Sequence, residues 1–80
     1  MEGKDNNLPL SNLPVGQLGQ VIYLDDNDLK RRFLDLGITP HTIIKTERLN
    51  PAGNPIAYNI RGTIIAIRKE EAKNILVKIL

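Results

Sequence analysis

Apolar and polar residues alternate with different periods along the 80-residue chain, and the changes of period locate its elements. The run Gln-Leu-Gly-Gln-Val-Ile-Tyr-Leu is rich in residues that favour strands, and the acidic pair Asp25 and Asp26 ends it. Gly19 inside this run indicates a bulge or the close approach of another backbone. The first strand is therefore predicted over residues 17–24.

A helical period follows this strand. Leu29, Phe33 and Leu36 are spaced four and three residues apart, which places them on one face of a helix over about residues 28–36. We expect this stripe to face the core. Leu34 lies off the stripe, and the pattern leaves open whether it is exposed or packed at the edge of the core.

The ends of the helix are also marked in the sequence. Asn27 is a suitable N-cap, and Gly37 stands where a left-handed residue commonly terminates a helix. Pro40 prevents the helix from resuming. Within the helix, Arg31 and Asp35 are spaced for an ion pair across one turn.

The second half of the chain reads as short strands joined by turns. Residues 50–55 are dense in asparagine, proline and glycine, which is typical of a hairpin loop, and Arg61-Gly62 is a tight connection. A helical turn is expected over residues 69–74. The alternation of apolar residues predicts strands over residues 42–49, 56–60, 63–67 and 75–80.

These elements predict a mainly β fold. About five short strands with hairpin spacing and one short helix are typical of a small antiparallel barrel, and the SH3-like barrel is the simplest architecture of this size. Residues 1–8 are polar and without periodicity, so we expect a flexible leader. Residues 9–80 would then form a single domain.

Composition narrows the classes of function. The chain has no cysteine, which excludes a disulfide framework and a thiolate metal site. The first residues lack the apolar core of a secretory signal, and no apolar run approaches the roughly 20 residues that a membrane span needs. The lack of cysteine suits a reducing cytosol, and we expect no direct membrane insertion, so any role at a membrane would go through a partner.

The sequence offers little support for a catalytic site or a metal site. The single histidine, His41, follows a proline in a predicted turn and has no carboxylate beside it in sequence to orient it as a base. Asp25, Asp26 and Asp28 could make a weak Ca²⁺ or Fe²⁺ contact, but acids are common before a helix for electrostatic reasons. The sequence predicts no enzyme, no catalytic residue, no cofactor and no metal site.

Basic residues form a run on the helix and flank several strands. Such residues could dock nucleic acid or an acidic partner, or they could be ordinary solvated charges. The net charge is only +2, and no aromatic residues interleave with the basic ones as they do on RNA-binding platforms. A small RNA-binding barrel therefore stays an alternative. The residues concerned are Lys30, Arg31, Arg32, Arg48, Arg61 and Arg68.

Five segments in register carry a resemblance to a known family. Over residues 9–80 the chain resembles FeoA, small proteins that accompany the ferrous-iron transporter FeoB. One position departs from the family pattern, because His41 stands where glycine usually follows the proline. Glycine would suit a type II turn, whose third residue needs a positive φ; either His41 adopts this conformation or the turn type has changed. The matching segments are Leu13–Gly16, Gly19–Val21, Arg32–Pro40, Pro51–Pro55 and Arg61–Arg68 with Glu71-Ala72 and Ile75.

The resemblance implies an SH3-like barrel that acts with FeoB, whose cytosolic part binds GTP and whose membrane part carries Fe²⁺. The same module ends the DtxR-type metalloregulators. The expected function is a non-catalytic cytoplasmic adaptor or regulator of ferrous-iron uptake that binds FeoB by protein–protein contacts. A metalloregulator-type or weakly self-associating module is the other alternative. Direct iron binding is not expected, because imidazole and thiolate clusters are absent from the sequence.

A groove between loops is the expected contact surface. One rim would be formed near the start of the helix, and the second by the turn after the helix with the 51–55 loop. The predicted partner-binding residues are Leu24, Asp25, Leu29, Arg32, Pro40, His41, Pro51 and Pro55.

Overall fold

The computed structural model of the chain describes residues 7–80 as one antiparallel sheet with two short helices. The six strands lie in the order β1-β6-β2-β3-β4-β5. The mainly β architecture, the short helix and the helical turn after the fifth strand are confirmed. The elements are β1 (Asn7–Pro9), a 3₁₀ turn (Leu10–Asn12), β2 (Leu18–Leu24), α1 (Asp28–Asp35), β3 (Ile43–Leu49), β4 (Ile56–Ile60), β5 (Thr63–Ile67), α2 (Lys69–Ala72) and β6 (Ile75–Ile79).

Strand β1 was not predicted. Asn7, Leu8 and Pro9 pair with residues 76–78 of β6, and Leu8 packs against the core. The leader expected over residues 1–8 is therefore corrected for Asn7 and Leu8, while residues 1–6 lie outside the described part of the chain. Three residues with a single leucine carry no periodic pattern. The strand can therefore be identified only from its pairing with β6, which also supplies its hydrogen bonds.

The core lies between the inner face of the sheet and the segments that cross it. In β4 the alternation is complete, with Ile56, Tyr58 and Ile60 buried and the residues between them only half-buried. Two buried polar side chains tie the chain before β2 to this core. The Tyr58 hydroxyl donates to the Leu10 carbonyl at 3.3 Å, and the Thr46 hydroxyl donates to the Leu13 carbonyl at 3.0 Å.

Both predicted ends of α1 are confirmed. The Asn27 side chain accepts a hydrogen bond from the Leu29 N–H at 2.8 Å. Gly37 has a φ of +88°, and the Ile38 N–H donates to the Phe33 carbonyl at 2.9 Å. This is the Schellman arrangement, in which a left-handed glycine lets the chain reverse and cover the last helical carbonyls.

The helical stripe is only partly correct. Phe33 is buried and Leu29 packs against the core, but Leu36 is 38% exposed. The reason is the reversal at Gly37, which brings Ile38 back to the core, where it is fully buried. Ile38 thus takes the place that the helical spacing assigned to Leu36.

Gly19 lies at a close approach of chain segments, which was one of its two predicted roles. A Cβ atom on Gly19 would lie 3.1 Å from Leu13 Cδ2 and 3.1 Å from Val77 Cγ2. The bulge of β2 is elsewhere, because the register with β6 shifts between Val21 and Tyr23.

The turn after the helix keeps the type that favours glycine. The Thr42 N–H donates to the Thr39 carbonyl at 3.0 Å, and His41 has a φ of +77°. With Pro40 at the second position, this is the pattern of a type II turn. The His41 N–H also donates to the Val21 carbonyl at 2.7 Å, which fixes the turn to β2. The alternative of a changed turn type is therefore wrong.

Substitution of Gly19 by alanine tests the close approach. We expect Gly19→Ala to lower the free energy of unfolding by about 1–3 kcal/mol, because the new methyl group overpacks the contact with Leu13 and Val77. Urea denaturation measures the free energy of unfolding of the wild type, of Gly19→Ala and of a control, Gln20→Ala. Gln20 is the next residue and faces outward, so the control should change stability by no more than about 0.5 kcal/mol. Equal stability of the two variants would contradict the close approach.

Substitution of His41 by glycine tests the strain in the turn. We expect His41→Gly to raise the free energy of unfolding by about 1 kcal/mol, since glycine adopts positive φ without the steric cost that a Cβ imposes. His41→Ala keeps the Cβ and should leave stability nearly unchanged. Thermal and urea unfolding of the three proteins compare them, and a stabilisation by alanine equal to that by glycine would assign the effect to the imidazole instead.

Candidate functional site: an interaction surface

The acidic cluster and the histidine do not converge. Residues 7–80 contain no group of three or more His, Cys, Asp or Glu side chains placed to hold a metal ion. Asp25, Asp26 and Asp28 are exposed at the junction of β2 and α1. His41 is exposed in its turn, and its recorded hydrogen bonds are those of its backbone. None of the helices in this part of the chain is long and apolar enough to cross a membrane.

Among residues 7–80, two titratable groups have clearly shifted pKa values, and both shifts have structural causes. Burial raises the pKa of Tyr58 far above its usual range. The backbone N–H of Glu70 itself, and then the Asn54 amide, lower the pKa of the Glu70 carboxyl. Glu70 also lines a shallow, open cleft of about 320 Å³ between the 3₁₀ turn and α2, together with Ser11, Asn12, Lys69 and Lys73. None of the described residues that line this cleft is buried.

Leu24 is buried on the inner face of β2. Its predicted role as a rim residue is therefore corrected, because the bulge in β2 places Leu24 opposite Ile75 in the core. Asp25, the next residue, is exposed, and its N–H donates to the Asn74 carbonyl at 2.9 Å.

Arg32 faces α2. Its guanidinium donates to both carboxylate oxygens of Glu71, at 2.8 and 3.0 Å. This pair replaces the expected one between Arg31 and Asp35, which is not formed among the described residues. An exposed pair of this kind contributes at most about 1 kcal/mol to stability, so it positions α1 against α2 more than it holds the fold. Leu29, half-buried, lies one turn before Arg32.

The 51–55 loop is also joined to α2. The Asn54 amide donates to Glu70 Oε1 at 2.8 Å, and Asn54 Oδ1 accepts from the Lys69 N–H at 3.1 Å. Within this loop Pro51 is exposed and Pro55 is half-buried.

The second predicted rim is not a single surface. The turn with Pro40 and His41 precedes β3, whereas the loop with Pro51 and Pro55 follows it. The seven residues of β3 separate the two by about 20 Å of extended chain. The groove expected from the sequence is therefore corrected into two regions at opposite ends of this strand.

An apolar surface missed by the sequence analysis lies on the outside of the sheet. Five large apolar side chains on β2, on β3 and directly after β6 are each 40–53% exposed. Strand register brings them together. Gln20, which lies between Leu18 and Ile22 on β2, is opposite Ile43, and the Leu80 N–H donates to the Leu18 carbonyl at 3.1 Å. We name this surface the outer apolar face; it consists of Leu18, Ile22, Tyr23, Ile43 and Leu80.

Lysines and the His41 turn border the outer apolar face. Lys45 is opposite Leu18, and Lys78 is opposite Gln20 on the other side. The Gln20 amide donates to the His41 carbonyl at 3.4 Å, so the predicted residues Pro40 and His41 adjoin this face.

One signal in the sequence points to this surface. Between residues 17 and 24 apolar residues occupy both even and odd positions, which predicts a strand that is apolar on both faces. Because β2 is not covered on its outside by the described elements, the second apolar face meets solvent. The shift of register after Val21 then places both Ile22 and Tyr23 among the exposed residues.

Comparison with known proteins agrees with this architecture. A family model, the FeoA domain, matches residues 8–79. The FeoA-like protein of Clostridium acetobutylicum is 33% identical, with a TM-score of 0.88 over 96% of this chain and 91% of that one. The zinc-complexed FeoA of Stenotrophomonas maltophilia is 27% identical, with a TM-score of 0.75 over 86% of this chain and 87% of that one.

The Stenotrophomonas protein is described as a prokaryotic SH3 domain protein suggested to activate ferrous-iron transport. The predicted SH3-like fold is thereby confirmed. A manganese-dependent transcriptional repressor shares this fold at 20% identity and a TM-score of 0.84, over 98% of this chain and 44% of its own, which shows the fold alone. No curated protein matches the chain. The family model and the structural relatives together show that this chain belongs to the FeoA family.

Proposed function

We propose that the protein is a non-catalytic cytoplasmic adaptor of ferrous-iron uptake that binds FeoB through the outer apolar face. The observation that carries the proposal is the grouping of five exposed apolar side chains on one side of a FeoA-family sheet. Several large apolar side chains exposed on one surface of a small protein commonly mark a site of protein–protein contact.

The composition of the face supports contact with a protein. Tyr23 supplies an aromatic side chain with a polar end, a type enriched at the energetically dominant positions of interfaces. Lys45 and Lys78 supply a charged border, and interfaces commonly combine an apolar centre with a polar rim. This surface therefore matches an acidic-bordered apolar patch on the partner.

The frame behind the face is fixed. The His41 turn is bonded to β2 through the His41 N–H and the Val21 carbonyl, and β2 is paired on both sides, with β3 and β6. A surface held by a paired central strand keeps its shape before the partner arrives, which lowers the entropy lost on binding. We infer that Pro40 and His41 contribute to the same contact.

A second contact region is proposed for the other predicted residues. Arg32 is bonded to Glu71 of α2, and the Asp25 N–H donates to Asn74 just after it. The loop with Pro51 and Pro55 is joined to α2 through Asn54, and Leu29 lies one turn before Arg32 on α1. A partner that touches both elements would cover α2.

A metalloregulator-type module is the second candidate function. Its support is the resemblance of the sequence to the module that ends the DtxR-type metalloregulators, since the manganese-dependent repressor shows a shared fold alone. Such a module would act on the other domains of a regulator. In that case the protein would not bind FeoB.

An NMR titration with FeoB tests the adaptor proposal. We expect shifts or broadening at the outer apolar face of the isotope-labelled protein on addition of its cognate FeoB, as the soluble GTP-binding domain or as the full protein in detergent. Ile43→Gln should weaken binding by about 5–30-fold, the effect of removing 1–2 kcal/mol at an interface centre. Leu49→Gln is the matched control, because Ile43 and Leu49 lie on the same strand and are both 49% exposed.

Two results would overturn this proposal. Absence of any perturbation with both forms of FeoB, in the GDP and GTP-analogue states, would exclude direct binding. If Ile43→Gln and Leu49→Gln weakened binding equally, the protein would still bind FeoB, but the contact would not be centred on the outer apolar face.

A further inference from the structure

Strand β5 has a free edge. It pairs with β4 alone and is the outermost strand on its side of the sheet. The connection to β4 is a two-residue turn in which Arg61 and Gly62 both have positive φ, 54° and 87°, as in a type I′ hairpin. The pair that closes such a turn, Ile60 and Thr63, is hydrogen-bonded, and hydrogen-bonded pairs alternate along an antiparallel ladder.

This alternation determines which groups point outward. Thr63, Ile65 and Ile67 bond to β4, so the N–H and C=O groups of Ile64 and Ala66 point away from it. Neither residue makes a hydrogen bond to another residue within the described range 7–80 outside the ladder. Both side chains are exposed. The edge therefore offers two donors and two acceptors at the spacing of an added strand.

The two edges of the sheet differ in protection. Edge strands are commonly kept from pairing by charged residues, proline, bulges or short length. In its described part, β1 has three residues and includes Pro9. Strand β5 has five residues, Thr-Ile-Ile-Ala-Ile, with no charge, no proline and no shift of register against β4.

Charge around this edge has one dominant sign. Residues 43–69 contain five basic residues against the single acid Glu47, a net charge of +4, so the rest of the chain has a net charge of −2. Glu47 accepts a hydrogen bond from the Asn59 amide at 3.0 Å, and Glu70, just after this segment, accepts one from Asn54. The basic residues are Lys45, Arg48, Arg61, Arg68 and Lys69.

A small cleft opens beside the same edge. It has a volume of about 140 Å³ and includes Ala66 of β5, with Arg48 contributing a charge. In peptides that add a strand, alternate side chains enter such clefts and give specificity. The other lining residues are Asn50, Pro55 and Ala57.

We propose that the edge of β5 receives an extended acidic and apolar peptide segment of a partner protein, which adds a strand to the sheet. Apolar residues of the segment cover Ile64 and the cleft at Ala66. Its acidic residues lie near Arg61 at one end of β5 and near Arg68 and Lys69 at the other. The proposal does not rest on FeoB binding, because it uses none of the residues of the outer apolar face.

Charge also distinguishes this occupant from a second copy of the chain. Two β5 strands pairing antiparallel about Ile65 would bring Arg61, just before β5, towards Arg68 and Lys69, just after β5 in the other copy, at both ends of the pair. Like charges directly opposite each other destabilise a strand pair. An acidic segment turns the same positions into favourable pairs.

Amide exchange in the presence of a synthetic peptide tests the proposal. The probe alternates valine and threonine and has two glutamates at each end; the matched control peptide has lysines in their place. We expect the glutamate peptide, and not the lysine peptide, to slow exchange of the Ile64 and Ala66 amides by at least about tenfold, since these N–H groups become hydrogen-bonded.

Two variants separate the edge from the charges. Ala66→Pro removes an outward donor without removing a bond to β4, and proline is tolerated at such edge positions, so loss of binding is expected with the fold retained. Arg61→Asn with Arg68→Gln removes two charges while keeping a preferred asparagine–glycine turn, and binding should weaken by at least about fivefold. Ile43→Gln should bind the peptide as the wild type does.

Several outcomes would overturn the proposal. The first is unchanged exchange at Ile64 and Ala66 with millimolar glutamate peptide. Equal protection by both peptides would remove the charge argument. If slower amide exchange at Ile64 and Ala66 depended on protein concentration alone, the edge would bind a second copy of the chain. If a single-stranded oligonucleotide slowed this exchange in a salt-dependent way and the peptide did not, the surface would bind nucleic acid.

Discussion

The pairing of β2 with β6 is the contact on which the rest of the fold depends. It joins residues 19–24 to residues 75–79, and β6 in turn holds β1 on its other side. The two strands approach closely because Gly19 has no side chain where Val77 and Leu13 converge. This pairing therefore fixes the position of β2 in the outer apolar face, of β1 beside β6, and of the bulge that sends Leu24 inward.

Local signals in the sequence were sufficient for elements that depend on their own residues. The bounds of β4 and β5 follow from alternation and turn formers, and the cap at Asn27 and the reversal at Gly37 follow from residue type. Strand β1 could not be predicted, since its three residues are held by β6 and carry no pattern of their own. The exposure of Leu36 likewise results from Ile38, whose return to the core is a tertiary event.

The candidate site was less predictable than the fold for the same reason. The turn with Pro40 and His41 is visible in the sequence, because a proline and an unusual residue mark it, and its contact with a partner stays a proposal. Leu24 was misplaced because a bulge changes which residues of a strand face the core. The outer apolar face combines residues from β2, from β3 and from the position directly after β6, and only strand register shows that they are neighbours.

The location of β6 has a consequence for how the chain is made. Residues 75–79 form the strand that lies between β1 and β2, so β1 lacks its partner, and β2 lacks one of its two partners, until this segment has been synthesised. A nascent chain that ends before this point exposes the edges of β1 and β2 and the apolar residues on them. The sheet therefore cannot be completed before residues 75–79 have left the exit tunnel, and until then the chain exposes apolar surface and strand edges of the kind that favour aggregation.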